Sequence, residues 1–160
     1  MSTQPVFTKE AVKLSKCDLR EILVGEHHVL RRQLEELREN VGRLLAGKEN
    51  AIAALLRTLE ELQLLLSVHL DHEEDLLEPL LEKIDAWGPI RLERLHQEHA
   101  HQREWLSNLR NMLLSAVSVE ELARRSYALL EALAADMAHE EKDLFSVLND
   151  ELIQLDAGDN

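Results

Sequence analysis

Residues 69–81 have the sequence "HLDHEEDLLEPLL", which combines two histidines and several carboxylates with the leucines of an amphipathic helix. A related stretch, "DMAHEEKDLFSVL", occupies residues 136–148 and matches the first at 5 of 13 aligned positions. The matches include a histidine followed by two glutamates, beginning at His72 and His139. Because helical residues four apart lie one above the other, each copy can present polar groups on the same face as its leucines.

The composition and charge of the chain limit its fold and its partners. With 160 residues, 5 glycines, 3 prolines and 3% aromatic residues, the chain is typical of a helical bundle in one domain. Its formal net charge of −13 argues against a nucleic-acid or anionic-membrane partner, since either polyanion would repel it. The single cysteine, Cys17, excludes an internal disulfide. Neither a secretory signal nor an apolar run of about 18 residues is recognisable, so we expect a cytoplasmic protein.

The hydrophobic periodicity predicts an all-α fold. Leucines at spacings of three and four form four amphipathic stripes separated by short connections, which favours an up-down-up-down antiparallel four-helix bundle. The bundle is predicted over residues 18–153. Residues 1–17 are expected to form an N-terminal arm, and residues 154–160 a flexible C-terminal tail.

Local signals predict where several helices begin and end. Asp18 and Ser118, each with a glutamate three residues later, resemble capping boxes that open the first and fourth helices. Gly47 is expected to end the first helix in the left-handed conformation, and Asn50 to precede the second. Pro89, in the break "WGP", is suited to the first turn of the third helix.

Polar residues interrupt the apolar stripes of all four helices. In the second helix, His69 and Glu73 take the places between Leu66 and the leucines expected to be buried next, Leu76 and Leu80. The interruptions in the other helices are His27 in the first, His99 in the third, and Asp136 and Glu140 in the fourth. Antiparallel packing would bring these groups to a similar level in the core.

Buried carboxylates of this kind need a positive partner. An unpartnered carboxylate in the core costs several kcal/mol or takes up a proton. Imidazole and carboxylate without thiolate suit iron or another borderline divalent metal better than structural zinc. A metal-free network of paired histidines and glutamates in a helical interaction module is the alternative interpretation.

Four segments together carry a family resemblance. The stretches "EHHVLRRQLEEL", "HLDHEEDLLEPLL", "EHAHQREWL" and "HEEKDLFSVL" resemble the helix motifs of the hemerythrin-like, HHE cation-binding domain over roughly residues 20–150. The resemblance implies a non-heme di-iron centre. It assigns His27, His69 and His99 as terminal ligands and Glu73 and Glu140 as bridging carboxylates.

One position departs from the family pattern. Where the family has a histidine four residues before the glutamate of the fourth helix, this chain has Asp136. Asp136 is a candidate ligand, and its neighbour His139 is a candidate substitute. The departure weakens the expectation of reversible oxygen carriage, which in the family relies on five histidines. The weaker candidates for metal ligands or their supporting partners are His28, His72, His96 and His139, whereas Glu74 and Glu141 are expected to be ordinary solvated charges.

Two classes of metal-dependent function are compatible with the hypothesis of a di-iron centre. The first is a di-iron protein that binds or senses O2 or NO, or handles iron. The second is an enzyme, either a di-iron oxidase or peroxidase or a donor of iron for the repair of iron–sulfur clusters. The sequence predicts no particular oligomeric state.

Overall fold

The computed structural model describes residues 16–84, 86–115 and 117–144. Four α-helices account for most of them: α1 (Lys16–Leu45), α2 (Ala51–Ile84), α3 (Gly88–Leu113) and α4 (Val119–His139). A π-helical turn (Glu140–Leu144) continues α4 directly. No strand occurs within these three ranges. The predicted C-terminal tail and residues 1–15 of the predicted arm lie outside the described residues.

The helices form a closed ring of neighbours. Each helix packs against the one that follows it along the chain, and α4 also packs against α1. The connections between them are only a few residues long, so consecutive helices run antiparallel. The predicted four-helix bundle is therefore confirmed. None of the helices in the described part of the chain combines the length and apolarity needed to cross a membrane.

The local signals for helix ends are largely confirmed. Gly47 has φ 63°, and the amides of residues 47 and 48 bond back to the carbonyls of residues 44 and 43, which is the Schellman arrangement. The Ser118 hydroxyl accepts a hydrogen bond from the amide of Glu121 at 3.2 Å, and Pro89 lies in the first turn of α3. At the start of α1 the prediction was late by two residues, because the helix begins at Lys16 and Asp18 lies in its first turn.

The hydrophobic core is divided into two clusters. The larger one fills the bundle from Leu30 of α1 and Met137 of α4 toward the loop between α1 and α2. The smaller one lies near the other end and contains the buried leucines Leu19, Leu23, Leu77, Leu81, Leu92 and Leu95. The polar residues predicted on the stripes lie along the helices between these clusters.

One stripe was assigned to the wrong residues. In α2 the fully buried leucines beyond Glu73 are Leu77 and Leu81, whereas Leu76 and Leu80 are only partly buried. Leu77 and Leu81 follow Glu73 at intervals of four residues, so they lie on the same helix face as its carboxylate. The acidic group is thus part of one continuous buried stripe.

Candidate metal centre

Four side chains from α1, α2 and the π-helical turn converge between the two hydrophobic clusters. His27, His69, Glu73 and Glu140 each offer one potential ligand atom, and these atoms all lie within 4.8 Å of one another. The two histidines and Glu73 are buried, and Glu140 is 13% exposed. Every one of these residues was predicted from its position on an apolar stripe.

The potential ligand atoms of the cluster lie close to one another. His27 Nε2 lies 3.2 Å from His69 Nε2 and 3.2 Å from Glu140 Oε2. Glu73 has one oxygen toward each side of the site: Oε1 is 3.5 Å from His69 Nε2, and Oε2 is 3.1 Å from His99 Nε2. The Glu73 carboxylate therefore lies between the imidazole of α3 and that of its own helix.

The centre of the site contains polar atoms without hydrogen-bond partners. Both carboxylate oxygens of Glu73 and the Nε2 atom of His99 are buried and unsatisfied. His99 Nε2 and Glu73 Oε2 lie 3.1 Å apart, but their contact lacks the alignment of a hydrogen bond. Leaving such groups unpaired in an apolar interior costs free energy. Cations bound between this carboxylate and the imidazoles on its two sides would satisfy these atoms, so the residues present fit a metal.

The outer nitrogen of each buried histidine is held by a glutamate. His27 Nδ1 lies 2.9 Å from Glu141 Oε1, and His99 Nδ1 lies 2.9 Å from Glu74 Oε1. The third histidine, His69, has Nδ1 at 2.9 Å from Glu26 Oε2. A proton fixed on Nδ1 leaves the lone pair on Nε2, which is the tautomer that binds a metal. The three imidazoles are therefore oriented with their binding nitrogens inward.

Two of the three supporting glutamates are themselves held by arginines. Arg31 binds both oxygens of Glu141 at 2.8 and 3.0 Å, and Arg103 binds Glu74 at 2.9 Å. Arg31 lowers the pKa of Glu141. At Glu74 burial opposes the shift, but Arg103 and His99 together outweigh it and lower the pKa. The expectation that Glu74 and Glu141 are ordinary solvated charges was wrong, because both reach inward to a histidine.

The crowding of acidic and basic groups changes their affinities for protons. Burial raises the pKa of Glu140 to about 7, and the nearby Glu73 adds to this shift. Burial lowers the pKa of His27 and His99, but the nearby carboxylates of Glu140 and Glu141 at His27, and of Glu73 and Glu74 at His99, outweigh it, so both pKa values rise. Burial dominates at His69 and lowers its pKa. The metal-free site therefore holds protons that a cation would have to displace.

Asp136 lies beside this cluster and does not belong to it. Its Oδ2 atom accepts a hydrogen bond of 2.9 Å from the amide of Gln102, a buried residue of α3. Burial raises the pKa of Asp136, and the bond from Gln102 opposes that shift. Ligation by Asp136 remains a prediction, and Gln102 is a neighbour that the stripe analysis did not identify.

The weaker candidates lie farther from the cluster. His72 contacts Glu26, the glutamate that supports His69, which is the supporting position expected for it. His96 lies 3.7 Å from Glu78, His139 lies 3.0 Å from Asp143, and His28 is exposed. None of these four belongs to the group of converging ligand atoms among the described residues.

Replacing His139 with alanine should leave metal binding nearly unchanged, whereas replacing His99 should lower it strongly. His139 is 67% exposed and interacts with Asp143, while His99 is buried with Nε2 against the carboxylate of Glu73. Metal analysis of the two purified variants tests this expectation. A His139→Ala variant that loses as much metal as His99→Ala would show that His139 acts as a ligand.

The sequence contains a repeated pattern that could have identified the supporting arginines and glutamates, which the stripe analysis did not predict. Arg31 and Arg103 each lie four residues after a buried histidine, in the matching segments "EHHVLR" and "EHAHQR" of α1 and α3. Glu74 and Glu141 each follow an inward glutamate. The sequence motif shared by α2 and α4 is therefore accompanied by a second motif shared by α1 and α3. Each supporting glutamate contacts a histidine of an adjacent helix.

The comparison with protein families agrees with the fold and with a cation-binding role. Residues 18–148 match the hemerythrin HHE cation-binding domain. The chain belongs to this family. A search of curated proteins and a search of solved structures both gave no significant match.

Proposed function

We propose that this chain is a non-heme di-iron protein that binds or senses O2 or NO, or handles iron. The Glu73 carboxylate is the observation that supports this proposal best. It is completely buried, neither oxygen has a hydrogen-bond partner, and its oxygens face imidazoles on two sides. A carboxylate with one oxygen toward each of two nitrogen ligands has the arrangement required to bridge two cations.

The roles of the other residues follow from their orientation. His27, His69 and His99 would each donate Nε2, while the glutamates at Nδ1 keep the rings in the binding tautomer. Glu140 would be the second bridge, opposite Glu73. When bound, a pair of ferrous ions supplies electrons and an open coordination position for a diatomic ligand. The surrounding leucines limit the access of water to the site.

A second candidate function is a di-iron oxidase or peroxidase. A cleft of about 650 Å³ between α3 and α4 is bordered by Glu140 and Asp136, and its volume is in the range of small-molecule pockets. Such a cleft favours an organic substrate near the metals. Consumption of O2 or peroxide that depends on an added reductant or small organic substrate would support the enzyme over the binding protein.

Anaerobic reconstitution with ferrous iron should yield about two irons per chain, because the donor set includes two candidate bridging carboxylates. Iron content by elemental analysis, followed by visible spectra under NO and under air, measures binding and ligand response together. Stoichiometric zinc with no iron uptake would contradict the proposal and leave a structural site. A chain that takes up no metal at all would favour the metal-free interaction module.

A further inference from the structure

The candidate centre has an approximate twofold internal relation. His27 and Arg31 of α1 correspond to His99 and Arg103 of α3, with the same spacing. Their partners correspond too, since Glu141 joins His27 to Arg31 as Glu74 joins His99 to Arg103, with histidine distances of 2.9 Å in both halves. The relation exchanges α1 with α3 and α2 with α4.

The two halves differ at one pair of ligand positions. His69 lies four residues before Glu73 in α2, and its counterpart four residues before Glu140 in α4 is Asp136. His69 belongs to the group of converging atoms, whereas Asp136 is bonded to Gln102 and lies outside it. The position in α1 that corresponds to Gln102 is Leu30, an ordinary core residue.

The half of the site that contains Asp136 is also the more open one. Asp136 and Glu140 line the cleft between α3 and α4 and also a small pocket of about 10 Å³, which reaches His69 and Gln102. The two residues thus border both the interior of the site and the cleft. Among the described residues, α3 and α4 also contact each other less extensively than the other neighbouring helices do.

We propose that the two metal positions are unequal, with one retained and one exchangeable. The retained metal is held by His27, His69, Glu73 and Glu140. The exchangeable metal is held by His99 and the two glutamates, because Gln102 keeps Asp136 out of its coordination sphere. Fewer protein ligands and the adjacent cleft make this metal the first to leave. The inference rests on the proposed di-iron function and adds to it a site from which one iron is readily given up.

The test is the release of iron from the fully loaded protein to excess bipyridine under anaerobic conditions. Wild-type protein should release one iron per chain at least about tenfold faster than the other, a difference typical of a lost ligand or supporting group. The double variant Asp136→His/Gln102→Leu gives the α3–α4 half the side chains of the α1–α2 half. It should release both irons at the slower rate. The single variant Asp136→His should also slow the fast phase of iron release. It provides the same test if the double variant does not fold.

The isosteric variant Asp136→Asn distinguishes ligation from the proposed arrangement. Asparagine can keep the contact with Gln102 but is a poor metal ligand, so both release phases should be retained. Asp143→Asn, at another acidic residue that lines the cleft, is the matched control and should also leave both phases unchanged. Loss of the second iron in Asp136→Asn alone would show that Asp136 is already a ligand and would overturn the inference.

Two further outcomes separate the inference from the proposed function. Two irons that leave wild-type protein at the same rate would overturn the inference and leave the di-iron function standing. A protein that takes up no iron would overturn both. Retention of a fast iron in the double variant would show that residues 102 and 136 do not cause the inequality.

Discussion

Replacement of Glu73 with methionine is expected to abolish dinuclear metal binding and, at the same time, to raise the melting temperature of the metal-free protein. Glu73 has one oxygen close to His69 and the other close to His99, so its loss disconnects the two sides of the site. Methionine has a similar length, fits a helix interior and fills irregular space.

The expected gain in stability arises because the Glu73 carboxylate is poorly accommodated in the metal-free protein. Both of its oxygens are buried and lack hydrogen bonds, so removing them relieves about 1–3 kcal/mol of desolvation. The imidazoles of His69 and His99 can remain neutral, which avoids leaving an unpaired buried charge. For a chain of this size, the change corresponds to a rise in melting temperature of roughly 3–10 °C.

Thermal unfolding followed by circular dichroism, with and without ferrous iron, measures both effects near pH 8. The matched control is Glu78→Met, on the same helix but 43% exposed, which should bind iron normally and show no comparable stabilisation. Metal-free Glu73→Met protein that melts below the wild type would indicate that Glu73 is held favourably by the histidines. In that case, the unsatisfied oxygens would not indicate a site adapted to a cation.

The fold was predictable because leucine spacing alone determines which face of each helix is buried. In α1 the whole apolar stripe is buried, namely Leu19, Leu23, Leu30, Leu34, Leu37, Val41 and Leu44. The capping signals at Gly47 and Ser118 act as expected. In α2 the same reasoning erred by one residue at Leu76. A helix with several adjacent leucines presents two nearly equivalent stripes, and only the neighbouring helices decide between them.

The inward groups of the site were easier to predict than the groups that support them. A histidine or glutamate on a leucine stripe is conspicuous because it interrupts an apolar pattern, as Glu73 does. Glu74 and Glu141 lie at the edge of a stripe, where glutamate is common and usually solvated. Their role depends on helix α1 or α3 placing a histidine beside them, and the spacing along their own helix contains no such information.

The position of Asp136 could not be deduced from its own helix for a similar reason. Its place four residues before Glu140 implies a ligand, but the side chain is bonded to Gln102 of the facing helix. A glutamine among leucines is a weak signal, since it resembles a solvated residue at the margin of a stripe. Only the packing of α3 against α4 reveals that the two groups are partners.

Replacement of Glu74 with alanine is expected to lower iron affinity by about 10–100-fold while changing the stability of the metal-free protein much less. Glu74 fixes His99 through Nδ1 at 2.9 Å, so its loss frees the ring to rotate and to carry its proton on the inner nitrogen. Arg103 keeps a partner in the variant, because it also bonds to Asp71 at 2.8 Å. The effect should therefore be confined to the metal site.

Glu60 provides the matched control for this prediction. It too joins α2 to α3 through an arginine, with a contact of 3.1 Å to Arg110, but it contacts no histidine of the site. An exposed pair of this kind contributes up to about 1 kcal/mol, so Glu60→Ala should alter stability slightly and leave iron affinity unchanged. Competition with a chelator of known affinity compares the two variants. Equal affinities would show that the glutamate at His99 Nδ1 does not support metal binding, whereas partial recovery in Glu74→Gln, which retains an acceptor for the Nδ1 proton, would identify orientation of the ring as the cause.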